Sequence, residues 1–242
     1  MPGARLSERL QDLVLENAGI DEFLQVLSGV SAEFAASAAG SPVLCSVRLI
    51  RHRLPPALAG STPVALALEQ LQDRFAGPGL ESLKTGEATL VRGAPTEPRL
   101  ARYQKSAAQR GSRSILGVPL TLDQDAAATL TFYAASPDAF DGGIAEACEA
   151  FAATAAKSMR LAVRLGSAET MNRDLLQAMK SRTIINLASG ILMAQSRCSQ
   201  AEAFNLLSKV SNNRNVKLRI VAEEILRKFE TGPYATDFSA QT

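Results

Sequence analysis

The chain has no tryptophan, one histidine and three cysteines in 242 residues, and only 5% of it is aromatic. Histidine-centred chemistry is therefore confined to His52. Placed between Arg51 and Arg53 at the end of an apolar run, it reads as an exposed side chain rather than an axial haem ligand. Cys45, Cys148 and Cys198 are odd in number and far apart, which supports neither a disulfide framework nor a four-ligand zinc site. They read as buried or reduced thiols, with Cys45 a small core residue of a strand. No run reaches the roughly 18 to 20 consecutive apolar residues of a membrane span, and the start MPGARLSERLQDL lacks the apolar centre of a signal peptide. A cytoplasmic protein with no membrane partner is expected. Gly77-Pro78-Gly79 reads as a loop, because neither a P-loop lysine pattern nor Gly-x-Gly-x-x-Gly accompanies it. No nucleophile is paired with a base and no metal ligands cluster, so no catalytic residue, metal site or cofactor is expected.

What is present is unevenly distributed. Nearly half of the residues are apolar and about a fifth charged, as in ordinary globular chains. The net charge of +2 conceals a division: residues 1–156 carry 13 Lys and Arg against 17 Asp and Glu, and residues 157–230 carry 13 against 6. Concentrated positive charge attracts phosphates, the electrostatic footprint of a nucleic-acid binder. In the same region Leu175, Met179, Ile184, Ile185, Ala188, Ile191 and Leu192 recur at helical steps. Ser199 with Glu202 has the capping-box spacing of a new helix start. Asn212, Asn213 and Asn215 read as a turn before Val216, Leu218, Val221, Ala222 and Ile225 resume the helical period. A three-helix unit is expected.

The order Arg182, Ile185, Ala188, Gly190-Ile191-Leu192-Met193, Ala203-Phe204, Leu207, Ser211, Asn215, Lys217-Leu218, Ala222 resembles the ANTAR domain, the RNA-binding output module of bacterial transcription antiterminators, over about Arg173 to Phe229. That family has lysine where this chain has Ser189, which removes one cation beside Gly190. Ile191 and Leu192 read as a packed helix turn, and Gly190 as a place for close helix approach. The resemblance implies binding of paired RNA stem-loops in nascent transcripts, which keeps a terminator hairpin from forming. Arg182, Arg197, Arg214, Lys217 and Arg219 are the candidates for phosphate contacts, with Lys180 and Ser189 beside them. Gln195, Asn212, Asn213 and Asn215 are the candidates for hydrogen bonds to unstacked loop bases.

The first two thirds have another rhythm. Leu6, Leu10, Leu13 and Val14, then Phe23, Leu27 and Val30, mark two helical stretches. Val43 to His52, Pro63 to Leu66, Ala88 to Val91, Ser114 to Leu122 and Ala127 to Tyr133 are short runs bounded by turn residues and read as strands. Leu68 to Phe75 and Arg99 to Ala108 have helical spacing, and Asp123-Gln124-Asp125 suits a hairpin turn. A mainly antiparallel sheet flanked by helices is expected. Gly77-Pro78, Gly111-Ser112-Arg113-Ser114 leading into Ile115 to Leu120, and Leu130 to Tyr133 followed by Pro137 and Phe140 resemble a GAF domain over about Glu22 to Leu161. The resemblance implies a sensor for an unidentified small molecule or protein signal. The family's usual aromatic near Arg99 is replaced by Leu100.

From Ile144 through Met193 there is no proline, and good helix formers dominate. One long helix, broken at most near Gly166-Ser167, is expected to join the domains. Cys148, Phe151, Ala155, Met159, Ala162 and Leu165 keep a three-four spacing that Ala168, Leu175 and Met179 extend, a seam suited to a coiled-coil dimer. Its first half, Phe151 above all, also suits packing on the sheet. The expected fold class is thus α+β: a GAF-like antiparallel sheet flanked by helices in residues 1–161, a helical coiled-coil linker in 162–172, an all-α three-helix ANTAR domain in 173–230, and a tail in 231–242. The function expected is a homodimeric RNA-binding antitermination regulator under GAF control. A DNA-binding regulator of helix-turn-helix shape, or a protein-interaction signalling module, uses the same basic helices.

Overall fold

A computed structural model describes residues 12, 19–93, 98, 100–123 and 126–230. Strands β1 (Val43–Arg51), β2 (Ala57–Gly60), β3 (Thr89–Arg92), β4 (Ser114–Leu120) and β5 (Ala126–Ala134) form one antiparallel sheet in the order β2-β1-β5-β4-β3. Its centre is the nine-residue ladder from Val43 opposite Ala134 to Arg51 opposite Ala126. Side chains alternate across a strand, and here both faces are covered. One face presents Val43, Cys45, Val47 and Leu49 of β1 with Leu116, Val118, Leu120, Leu130 and Phe132, packed against helix α1 (Ile20–Ala39) and the start of helix α5 (Ile144–Ser196). There Phe34 stacks on Phe151 at a centroid distance of 4.6 Å. The other face lies beneath α2 (Pro63–Leu71), α3 (Pro78–Thr85) and α4 (Ala101–Ala108), around Leu68, Tyr103, Ala107, Ile115 and Tyr133.

Several local expectations are corrected. Pro63 to Leu66 is not a strand but the first turn of α2: the Thr62 hydroxyl accepts from Ala65 N at 3.2 Å, and Pro63 occupies a position where its missing N–H costs nothing. The strand is the shorter run just before it, Ala57–Gly60, which pairs with Ser46–Leu49. The helix expected through Phe75 ends at Leu71. Gly77-Pro78-Gly79 is the start of α3 rather than a loop, again with proline in the first turn. The hairpin expected around Asp123 falls partly outside the described residues, although Ala126 N donates to Asp123 O at 3.0 Å across it. The first N-terminal stretch, Leu6 to Val14, lies outside them.

Helix α5 runs from Ile144 to Ser196 without a break at Gly166-Ser167. Compact packing divides the chain between Ser167 and Ala168. In the first unit Cys148, Phe151, Ala155, Met159 and Ala162 are buried in the sheet core, so this part of the expected dimer seam is spent on the fold. Arg160 donates to Thr121 O and Arg164 pairs with Asp123, which fixes α5 to the β4–β5 turn. In the second unit, α6 (Gln200–Arg214) and α7 (Leu218–Glu230) complete a three-helix arrangement with a core of Ala188, Leu207, Val221 and Ala222, flanked by Ile184, Ile185, Leu192 and Ile225. The Ser199–Glu202 capping box forms at the start of α6. The asparagine turn is shorter than expected. Asn212 and Asn213 remain helical, and only Asn215, at φ 50°, takes the left-handed conformation that ends α6.

Candidate nucleic-acid interface

The basic residues of the helical unit fall into separate groups. Arg182 is exposed on α5, and Arg197 (φ 49°) is exposed in the turn that follows. Asn213 and Arg214 form the last turn of α6, Asn215 and Lys217 the next connection, and Arg219 the first turn of α7. Fifteen residues of α6 rise about 22 Å, so Arg197 and the Arg214 to Arg219 group stand at opposite ends of that helix. One small RNA loop does not reach both.

Electrostatics sorts these side chains further. Arg214 donates to both carboxylate oxygens of Glu224, at 2.6 and 3.0 Å. Those hydrogen bonds raise the Arg214 pKa and lower that of Glu224. A phosphate must compete with this carboxylate. Arg219 lies 3.4 Å from Glu223, a weaker i,i+4 pair. Among the described residues, no acid engages Arg182, Arg197 or Lys217, which leaves their charge open to a ligand. Ser189 does not belong with them. It is 3% exposed, and its hydroxyl donates to Ile185 O at 2.8 Å, so the position that resembles a cationic site is part of the packed helix. Gln195 is exposed near the end of α5.

Gly190 departs from expectation as well. A Cβ placed there meets no atom within 4 Å, so the glycine makes no close helix approach. It lies instead in a groove of about 560 Å³ with Thr183, Asn186, Leu187, Ile191, Ala194, Gln195 and Phe229. Phe229 closes this groove from α7, forty residues from its partners in sequence, and helical periodicity alone gave no sign of it. The apolar side chains expected at a dimer seam are exposed: Leu165 at 42%, Leu175 and Met179 at 59% each, with Ala168 also exposed and Met171 and Leu176 beside them.

The sheet face beneath α2–α4 is filled by the chain's own polar side chains. Arg48 Nε donates to Glu69 Oε1 at 2.6 Å and its Nη1 to Asp73 at 2.7 Å. Ser46 Oγ, Gln72 Nε2 (2.8 Å) and Tyr133 OH (3.4 Å) donate to Glu69 Oε2. Burial opposes the charge of Arg48, but Glu69 and then Asp73 outweigh it and raise its pKa. Burial raises the Tyr103 and Tyr133 phenols above their ordinary range, so both stay protonated as donors. A Cβ on Gly79 would overlap Thr131 Oγ1, and one on Gly117 would overlap Pro78 O, so α3 rests directly on the sheet. A small molecule bound at this face requires Glu69 or Gln72 to move. The three cysteines are free; Cys45 and Cys148 are buried, and His52 is exposed. Among the described residues no cluster of His, Cys, Asp and Glu is placed to hold a metal, and no helix is long and apolar enough to cross a membrane.

Comparison with known proteins places these units in families. The ANTAR domain model matches residues 173–226, and a GAF domain model matches residues 18–160, more than half of the chain. ANTAR domains are RNA-binding antiterminator output domains and GAF domains are sensors, a regulatory rather than catalytic combination. No curated protein matches. Among solved structures, the GAF domain from a phosphoenolpyruvate-protein phosphotransferase of Coxiella burnetii is 15% identical, with a TM-score of 0.50 over 70% of this chain and 96% of that one. Escherichia coli SdiA is 12% identical, with a TM-score of 0.47 over 92% of this chain and 96% of that one. A free methionine-R-sulfoxide reductase from Neisseria meningitidis, solved with its substrate, is 14% identical, with a TM-score of 0.43 over 67% and 91%. At such identities the likeness speaks for the fold alone.

Proposed function

Because the chain belongs to the GAF family and ends in an ANTAR domain, we propose that it is a transcription antitermination regulator whose GAF unit controls a dimeric output unit that binds stem-loops in nascent RNA. The observation that carries this reading is the coincidence of the ANTAR match with a helical unit whose exposed cations Arg182, Arg197 and Lys217 have no acidic partner among the described residues. Arg214 and Arg219 join them once phosphate displaces Glu224 and Glu223. Asn213, Asn215 and Gln195 supply amides for loop bases. Dimerisation through Leu165, Ala168, Leu175 and Met179 brings two such surfaces together. The signal, a small molecule or a protein contact at the GAF unit, acts only through a difference in affinity for two helix arrangements, since equal binding to both shifts nothing.

The test replaces Arg182, Arg197 and Lys217 by alanine in the full chain. Affinity for stem-loop RNA should fall and its salt dependence flatten, because each lost phosphate contact removes roughly 0.7 to 0.9 from the slope of log K against log salt. Unchanged affinity and slope would exclude these side chains from the interface. Tighter binding of duplex DNA than of RNA hairpins at the same salt concentration would replace the RNA reading with a DNA-binding one.

A further inference from the structure

The groove at Gly190 has a chemistry of its own. Thr183, Leu187, Gly190 and Ala194 recur at three- and four-residue steps and so share one stripe of α5, apart from the core stripe of Ile185, Ala188 and Leu192. The floor is apolar and shallow because position 190 has no side chain. Phe229, 58% exposed, forms an aromatic wall from α7. Asn186 and Gln195 stand at the rim, and among the described residues neither amide has a hydrogen-bond partner. Lys180 is exposed on the same stripe, one residue step of three before Thr183. An aromatic wall, a flat apolar floor, unpaired amides and a cation at the end match the parts of one nucleotide: a base with a hydrogen-bonding edge, joined to a phosphate.

We propose that this groove receives a single unstacked nucleobase of the bound RNA, stacked on Phe229, with its edge read by Asn186 or Gln195 and its neighbouring phosphate held by Lys180. The inference rests on the RNA-binding reading above and adds to it where a base is read. A second copy of the chain fits the groove less well. Thr183, Asn186 and Gly190 are poor coiled-coil knobs, whereas the apolar positions suited to that role, Leu175, Leu176 and Met179, lie before the groove.

Gly190 makes the test clean. Its Cβ direction is open, so Gly190→Leu fills the groove without disturbing the core, and leucine favours helix over glycine. The probes are a labelled pool of RNA stem-loops with randomised loops, and the same stems closed by loops of abasic sites. The unaltered full-length protein should prefer base-bearing loops. Gly190→Leu should melt at the same or a higher temperature and keep the same oligomeric state. It should lose about tenfold in affinity for base-bearing loops, the scale of one stacked base, while abasic loops bind as before. Phe229→Leu should lose the same preference. Undiminished preference in both variants overturns the proposal, as does equal binding of base-bearing and abasic loops by the unaltered protein; in either case retained stem binding leaves the broader RNA reading standing. If Gly190→Leu changes the oligomeric state together with RNA affinity, the groove belongs to a second copy and the proposal falls. If the unaltered protein binds no RNA at all, both readings fail.

Discussion

Glu69→Ala is expected to destabilise the sensor unit by about 3 kcal/mol, toward the lower end of the roughly 3 to 5 kcal/mol typical of breaking a buried ion pair. Glu69 is fully buried, and its carboxylate accepts from Arg48, Ser46, Gln72 and Tyr133. Removing it leaves Arg48, 2% exposed, with Asp73 as its remaining carboxylate at 2.7 Å. Because the Asp73 side chain is 55% exposed, it supplies a screened partner, which moderates the loss without cancelling it. At about 2 to 4 °C per kcal/mol for a domain of this size, the melting temperature should fall by roughly 6 to 12 °C. Near-ultraviolet circular dichroism reports the unit selectively, since Tyr103 and Tyr133 are both in its core. The companion variant, Arg48→Met with Glu69→Leu, removes both charges and should recover at least half of the loss, because the single change is costly mainly through the charge it strands. A single variant within about 0.5 kcal/mol of the unaltered protein, or a double variant as unstable as the single, would refute the reasoning.

Leu175→Glu with Met179→Glu should shift a dimer toward monomer in light scattering, since both side chains are 59% exposed in the isolated chain and would carry charge into the seam; a monomeric unaltered protein at micromolar concentration would remove the dimer. Acidification should weaken the helical unit. Ser199 hydrogen bonds hold the Glu202 carboxyl below its ordinary range, and Arg214 does the same to Glu224. A lowered folded-state pKa gives stability that is complete above the unfolded-state value and is lost as pH falls through the folded one, so the decline should set in below about pH 5 and flatten when both are changed to glutamine. A thiol reagent should label Cys198 of the native chain first. Burial pushes Cys148 up to about 12 and raises Cys45 as well, which keeps both as protonated, shielded thiols until the sensor unit opens; fast labelling of all three would contradict the burial.

The sequence by itself determined the elements whose signals are local. Alternation fixed β1, β4 and β5, the Ser199–Glu202 spacing fixed the start of α6, and the absence of proline fixed the long α5. These depend on periodicity and caps, which a few neighbouring residues decide. Only the tertiary structure decided how those elements are used. The apolar spacing of α5 looks continuous from Cys148 to Met179, but a sheet covers it through Ala162 and leaves Leu165 and the residues after it exposed. Arg214 reads as a free cation until α7 brings Glu224 to it, ten residues on. Ser189 looked available, yet Leu207 and Val221 share the core that surrounds its turn. Glu69, an ordinary helix residue in sequence, becomes the acceptor at the centre of the sensor face because β1 and β5 carry Ser46, Arg48 and Tyr133 to it. Charge and exposure depend on residues distant in the chain, and local pattern contains no term for their approach.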